Sequence, residues 1–275
     1  MSLRSKPTLA EQADRHLLYQ QSVQDVETEI DFICETWDAL RARPATLLRE
    51  DFCGTAATSC EWVMRDLGHA AIGVDRDATV MAWGKQHNLS KLDPAQRARI
   101  ELLRADVRHC RPGAADIILA MNFSYYLFLT RAELKAYFNN ARAGLEDDGI
   151  FFLDAYGGSE APMEIKERRE CDGFTYIWEQ ASFNPINSYM GCLIHFEFPD
   201  GSRMDDAFRY DWRLWTLPEI TELLGEAGFE QVDVYWEGTD EESNEGNGIY
   251  EVAETGDADP GWVCYVVAQK RLNTL

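Results

Sequence analysis

Apolar positions along this chain follow two periods. From Asp25 to Ala42 they recur at Val26, Ile30, Ile33, Trp37 and Leu40, which predicts a helix with one sticky face. After Pro44, short apolar runs alternate with helical stretches. The runs are Thr46–Glu50, Ala71–Asp75, Arg99–Asp106, Asp116–Asn122 and Gly149–Ala155. Helical patterns fall between them at Thr55–Leu67, Ala78–Asn88 and Thr130–Gly144. The first of these stops at Gly68, and the last opens with Thr130-x-x-Glu133, a capping box. Apolar strands that alternate with helices predict an α/β fold, with a doubly wound, mostly parallel sheet covered on both faces.

The pattern changes between residues 157 and 215. Three longer segments, Phe174–Phe183, Tyr189–Phe198 and Met204–Trp215, read as strands separated by turns at Asn184-Pro185 and Pro199–Ser202. They predict an antiparallel β insertion. The alternation then resumes. Thr216-x-x-Glu219 opens a helix that runs to Ala227, and Gly228 closes it. Strands follow at Gln231–Trp236 and Trp262–Lys270, bringing the main sheet to seven strands. Between them Gly238–Pro260 is acidic, holds no Lys or Arg, and reads as a solvated loop. The first 24 residues are polar.

Charge narrows the list of partners. The net charge is −22, and no basic footprint for phosphate contacts stands out, so neither nucleic acid nor an anionic membrane surface is expected as a partner. The acidity reads as a solubility feature, or more sharply as a sign of a cationic acceptor. Seven cysteines are scattered and never spaced as CxxC, which argues against a disulfide framework or a metal site and suits a reducing, cytoplasmic compartment. No apolar run reaches ~18 residues, so no spanning segment is expected. Oligomeric state is not legible.

The chemistry gathers at strand ends, which in a doubly wound sheet open onto one crevice. Leu47–Ser59, LLREDFCGTAATS, runs from strand through a tight turn into a helix. Such a turn presents backbone N–H groups, and Gly54 lets the backbone approach a ligand closely. Asp75 ends the second strand, spaced from Glu50 as an acid that can meet ribose hydroxyls, although it or Asp77 could instead cap the next helix. Asp106 ends the third strand, and Met121–Phe128, MNFSYYLF, follows the fourth.

In this order and at these strand ends, the set resembles class I S-adenosylmethionine-dependent methyltransferases. Their loop pattern is acidic-x-Gly-x-Gly-x-Gly. Here Glu50 holds the acidic place, Cys53-Gly54-Thr55 the centre, and Phe52 and Ala56 replace the outer glycines. The resemblance covers Pro44 to Lys270, and the closing order of helix, strand, acidic loop and strand matches the reversed final hairpin of that family, with Gly228-Phe229 at a familiar junction. It implies a methyltransferase-type Rossmann-like domain over 44–275, an N-terminal helical lid over 1–43, and an insertion at 157–215 over the acceptor site. The Tyr19–Gln24 stretch reads either as part of that lid or as a polar connector.

The resemblance further implies S-adenosyl-L-methionine as cofactor and S-adenosyl-L-homocysteine as product. The cofactor would be held by Glu50, Phe52, Cys53, Gly54, Thr55, Ala56, Asp75, Arg76, Asp106, Val107, Met121, Asn122 and Tyr19, with Asp106 at the adenine amine. Asn122-x-x-Tyr125 has the spacing of the Asn-Pro-Pro-Tyr motif of amino-methylating enzymes, without its prolines. Tyr125, Tyr126, Arg209, Tyr210 and Arg213 are the acceptor-pocket candidates. On strand alternation Arg209, Asp211 and Arg213 share one face, and Tyr210, Trp212 and Leu214 the other. An inward charged face would suit an acceptor with carboxylate or amine groups.

The implied activity is in-line methyl transfer to a small molecule, with no metal. Two alternatives stay open: a NAD-dependent Rossmann oxidoreductase, whose G-x-G-x-x-G is not supplied by FCGTAA, and an S-adenosylmethionine-binding protein without catalysis. His195, between Ile194 and Phe196 in a strand, is a general-base candidate by residue type and otherwise structural. Cys53 lacks a paired His and is not read as a nucleophile.

Overall fold

In chain order the polypeptide, seen in a computed structural model that describes residues 6–240 and 246–272, begins with three helices: α1 (Leu9–Gln12), α2 (Arg15–Ser22) and α3 (Val26–Leu40). There follow β1 (Leu47–Asp51), α4 (Ala57–Arg65), β2 (Ala70–Asp75), α5 (Ala78–His87), α6 (Pro94–Arg97), β3 (Ile100–Arg104), β4 (Ala115–Ala120), α7 (Arg131–Ala143) and β5 (Leu145–Gly157). Four strands come next: β6 (Lys166–Cys171), β7 (Phe174–Asn184), β8 (Tyr189–Glu197) and β9 (Arg203–Arg213). The chain closes with α8 (Leu217–Glu226), β10 (Gln231–Thr239), β11 (Gly246–Val252) and β12 (Trp262–Gln269).

The main sheet has the order β11-β10-β12-β5-β4-β1-β2-β3. From β3 to β5 all pairings are parallel. β12 inserts antiparallel between β5 and β10. Strand order reverses between β1 and β4, and a crevice opens at that switch point. Side chains alternate between the two covered faces as the pleat requires. Ile118 and Ala120 of β4 pack with Leu134, Tyr137 and Phe138 of α7 and Ile220 and Leu223 of α8. Ile117 and Leu119 face the other way, onto Ile30, Ile33 and Trp37 of α3 and Trp62 of α4. The second sheet, β6-β7-β8-β9, is antiparallel throughout. Both predicted capping boxes are present, at Thr130 and Thr216.

Several elements depart from the expected pattern. The main sheet has eight strands instead of seven, because part of the acidic loop pairs with β10: Tyr235 lies opposite Val252, and Glu237 opposite Tyr250. The Tyr250 ring holds this strand, 4.6 Å from Tyr265. Residues 241–245 of that loop lie outside the described residues. The insertion has four strands; β6, KERREC, carries no apolar alternation because it is an exposed edge, where charge discourages pairing with another chain. β3 ends at Arg104, which leaves Asp106 in the following turn. The polar N-terminus contains α1 and α2. Leu18 docks with Phe174, Ile194 and Phe196 of the second sheet, so a single buried side chain does what a full apolar stripe does elsewhere.

Candidate functional site

The turn after β1 is left-handed at alternate residues: Phe52 (φ 58°), Gly54 (φ 50°) and Ala56 (φ 56°). These are the three places where the methyltransferase pattern has glycine. The backbone therefore keeps the glycine-loop shape with two side chains in it, at a cost of about 1–2 kcal/mol for each non-glycine residue. Phe52 turns its ring into an aromatic group, 5.5 Å from Tyr137 and 6.1 Å from Phe128, while still bordering the crevice.

Asp75 holds the loop in place. Its carboxylate accepts the Gly54 N–H at 2.9 Å and the Asp77 N–H at 2.8 Å. Asp77, not Asp75, caps α5 by accepting from Thr79 N–H. Glu50 accepts from the N–H and hydroxyl of Ser59, at 2.9 and 2.5 Å. Burial pushes its carboxyl up to about 7, with the Ser59 bonds opposing. Asp106 is bound by the Arg108 guanidinium at 2.7 and 3.0 Å, which holds it down to about 2. Beyond β4, Asn122 and Phe123 are both left-handed, and their N–H groups donate to Asp154 at 2.6 and 2.8 Å. Asp154 sits on β5, and burial raises it to about 7.

These residues border a cavity of about 700 Å³. Every predicted cofactor residue lines it except Ala56, which is fully buried behind the loop at the start of α4. Two side chains tie α2 to this region. Gln20 donates to Thr55 Oγ1 at 2.8 Å, and Trp83 of α5 donates to Asp14 at 2.6 Å. Tyr19 also lines the cavity, and burial pushes its phenol up to about 12. Gln24 borders it too, with a buried Oε1 that has no hydrogen-bond partner.

A second cavity of about 480 Å³ adjoins the first, and Tyr19, Asn122, Tyr210 and Trp212 line both. Here the acceptor candidates divide. Tyr210 lines the second cavity. Tyr125 and Tyr126 do not: both are fully buried, with their hydroxyls spent on the Asp154 and Tyr156 carbonyls, so they are core. Arg213 is also elsewhere, bonded to Glu219 at 2.8 Å with its guanidinium 3.8 Å over Trp215. Arg209 is exposed and borders only the first cavity. The inward face of β9 is the aromatic one, because Tyr210 and Trp212 bury apolar area that Arg209 and Asp211 lack.

His195 lines neither cavity. Its Nδ1 accepts from Asp206 N–H at 3.0 Å, so Nε2 carries the proton and donates to Glu179 at 2.9 Å. It is a structural link within the second sheet. Burial pushes the Cys53 thiol far up, as suits a packed, unreactive side chain.

Sequence reasoning missed Asp154, Gln24 and the tryptophans of the second cavity. Asp154 was visible only as the polar residue in the run GIFFLDA, an interruption that a buried strand seldom tolerates without a role.

The carboxyls of Glu50 and Asp154, both raised, dictate a pH response. Between the unfolded value near 4 and the folded value near 7, the folded state holds protons that the unfolded chain has released, so stability falls as pH rises. Glu29, raised by burial with Asp154 and Glu50 nearby, adds to the effect, while His16, lowered by burial, opposes it. Melting at pH 5.5 is expected several degrees above that at pH 8; a lower midpoint at pH 5.5 would contradict this account.

No family model matches the chain, and no curated protein matches it by sequence. Solved structures do resemble it. An S-adenosylmethionine-dependent methyltransferase from Clostridium acetobutylicum has a TM-score of 0.68 at 15% identity, covering 92% of this chain and 96% of that one. An amino pentose methyltransferase from Micromonospora echinaspora, solved with S-adenosylmethionine bound, has 0.65 at 15% identity, covering 93% and 96%. A sugar N-methyltransferase from a Streptoalloteichus species has 0.63 at 17% identity, covering 98% and 99%. The likeness runs nearly end to end, and the fold is the methyltransferase-type Rossmann-like fold.

Proposed function

We propose that this protein transfers a methyl group from S-adenosylmethionine to a small-molecule acceptor. The observation that carries the reading is the crevice at the β1–β4 switch point, where a loop left-handed at residues 52, 54 and 56 hangs from Asp75 by the Gly54 N–H. The antiparallel β12 between β5 and β10 favours it over a dinucleotide oxidoreductase, and so do the methyltransferases of like fold. The lining suits the cofactor. Asp75 and Asp106 offer carboxylates to ribose and adenine, and the unpartnered Gln24 Oε1 offers an acceptor to an N–H or O–H group.

S-adenosylmethionine held there would supply a methyl carbon on cationic sulfur, open to in-line attack by an acceptor lone pair, with the carbon–sulfur electron pair staying on sulfur and the acceptor's proton passing to solvent. The chain's own contribution is position. Asp154 fixes Asn122, which lines both cavities, and Phe123, which lines the second. Tyr19 of α2 and Tyr210 of β9 line both cavities, so α2 serves as the lid and the 157–215 insertion as the acceptor's cover, while α3 belongs to the core. Holding donor and acceptor in line at ~3–3.5 Å is the main catalytic device such a site needs.

Thermal melting with S-adenosylmethionine, S-adenosylhomocysteine and NAD tests this. A ligand at ~100 times its Kd adds roughly 2.7 kcal/mol, several degrees at this size. Both adenosyl compounds are expected to raise the midpoint and NAD to leave it; a shift with NAD alone would overturn the reading. Asp75→Ala frees the Gly54 N–H and is expected to weaken S-adenosylhomocysteine binding by about tenfold or more. Unchanged affinity would remove Asp75 from the site.

A further inference from the structure

We propose that the second cavity selects an acceptor that enters as an organic cation, a small molecule bearing an ammonium group. This rests on the methyl-transfer reading only for calling the occupant an acceptor; the preference for a cation rests on the cavity itself.

The walls are aromatic on two sides. Trp178, Tyr210 and Trp212 come from the second sheet with ring centroids 4.6–6.1 Å apart. Trp236 and Trp262, 5.0 Å apart, come from the main sheet. The cavity thus gathers four of the chain's eight tryptophans. Ring faces carry negative potential and attract a desolvated cation.

Four carboxylates share this lining: Glu160, Glu167, Glu237 and Asp259. Among the described residues, no Lys, Arg or His lines it. Glu237 is partly engaged, accepting the Gly248 N–H at 2.8 Å. Glu160 and Glu167 extend from the rim without an ion pair among the described residues. The chain's overall acidity does not account for this, since the adjoining cavity mixes its acids with Arg15, Arg76, Arg108 and Arg209. Low-dielectric walls concentrate the field of one-signed charge. An anion would meet acids with no counter-charge, and a purely apolar acceptor would gain nothing from them. A cation satisfies both rings and carboxylates.

The test uses the full chain, with and without saturating S-adenosylhomocysteine, and three isosteric probes: choline, its uncharged analogue 3,3-dimethyl-1-butanol, and 3,3-dimethylbutanoate. Binding is read by calorimetry and tryptophan fluorescence. Choline is expected to bind about tenfold or more tightly than the alcohol, and the carboxylate most weakly. The double substitution Glu160→Gln with Glu167→Gln, at exposed positions, is expected to weaken choline about threefold or more while leaving the alcohol and S-adenosylhomocysteine unchanged. Equal binding of choline and the alcohol, tighter binding of the carboxylate, or no binding of any probe at millimolar concentration overturns the proposal. A choline preference without S-adenosylhomocysteine binding would keep the cation site and overturn the methyl-transfer reading instead.

Discussion

Asp51→Ala is expected to cost about 3–5 kcal/mol, enough to unfold much of a protein of ordinary stability. Arg49 and Asp51 lie two apart on β1, so both point to one face, toward α7. Their side chains are completely buried and joined at 2.7 and 3.0 Å, and Tyr137 donates its hydroxyl to the same carboxylate at 2.9 Å. Removing the carboxylate strands a guanidinium that cannot give up its proton. Arg49→Met strands the opposite partner, but Asp51 can take up a proton, and burial already favours that form. The arginine variant is therefore expected to lose less, and its deficit to shrink as pH falls toward 5, while the Asp51→Ala deficit stays flat. Arg49→Met with Asp51→Leu together should sit within about 2 kcal/mol of the native chain, since a buried pair adds little net stability. Urea denaturation of the four chains at two pH values measures this; equal losses in the single variants would mean that the pair is hydrated.

Gly84→Ala sets two effects of opposite sign against each other. Alanine in a helix interior normally gains about 1 kcal/mol over glycine. Here a Cβ would run into the Thr55 carbonyl oxygen and lie 2.7 Å from its carbon. The obstacle is backbone, so α5 or the loop between β1 and α4 must move, and overpacking of this kind costs about 1–3 kcal/mol. The Asn88 amide, which donates to the same oxygen at 3.0 Å, would be displaced as well. A net loss of stability of about 1–2 kcal/mol is expected, together with weaker S-adenosylhomocysteine binding, because Thr55 lines the crevice. A raised melting midpoint with unchanged affinity would show that the loop yields freely.

The parts of this fold legible in the sequence are those whose burial is simple. Strands β2, β4, β5 and β12 are mostly apolar because both faces of the sheet are covered, and each was visible; β1, LLRED, was visible from the glycine turn and helix that follow it. β6 was not, since an exposed edge keeps only charge, and β11 was not, since a few aromatic contacts hold an otherwise acidic strand. Of the site, the strand-end residues could be read in order. The left-handed conformations of Phe52 and Ala56 could not, because the usual signal for them is glycine. The direction in which β9 faces depends on which side of the second sheet meets the crevice, and alternation supplies two faces without choosing one. The tryptophan chamber was hidden because residues 178, 212, 236 and 262 converge from separate sheets.

The docking of the first helices onto the second sheet also fixes an order of events during synthesis. The Leu9 and Ala10 N–H groups donate to Asp200 and Ser202, which lie 191 and 192 positions further on. Leu18 rests on residues of β7 and β8. While the ribosome is making β1 to β5 these first helices lack the second-sheet face on which Leu18 is buried, and Leu18 stays open to solvent or to a chaperone. The delay costs little in closure entropy, which grows by only about 0.6 kcal/mol per doubling of the intervening chain. The wall of the crevice that contains Tyr19, translated before the second sheet, is therefore set only after that sheet has formed.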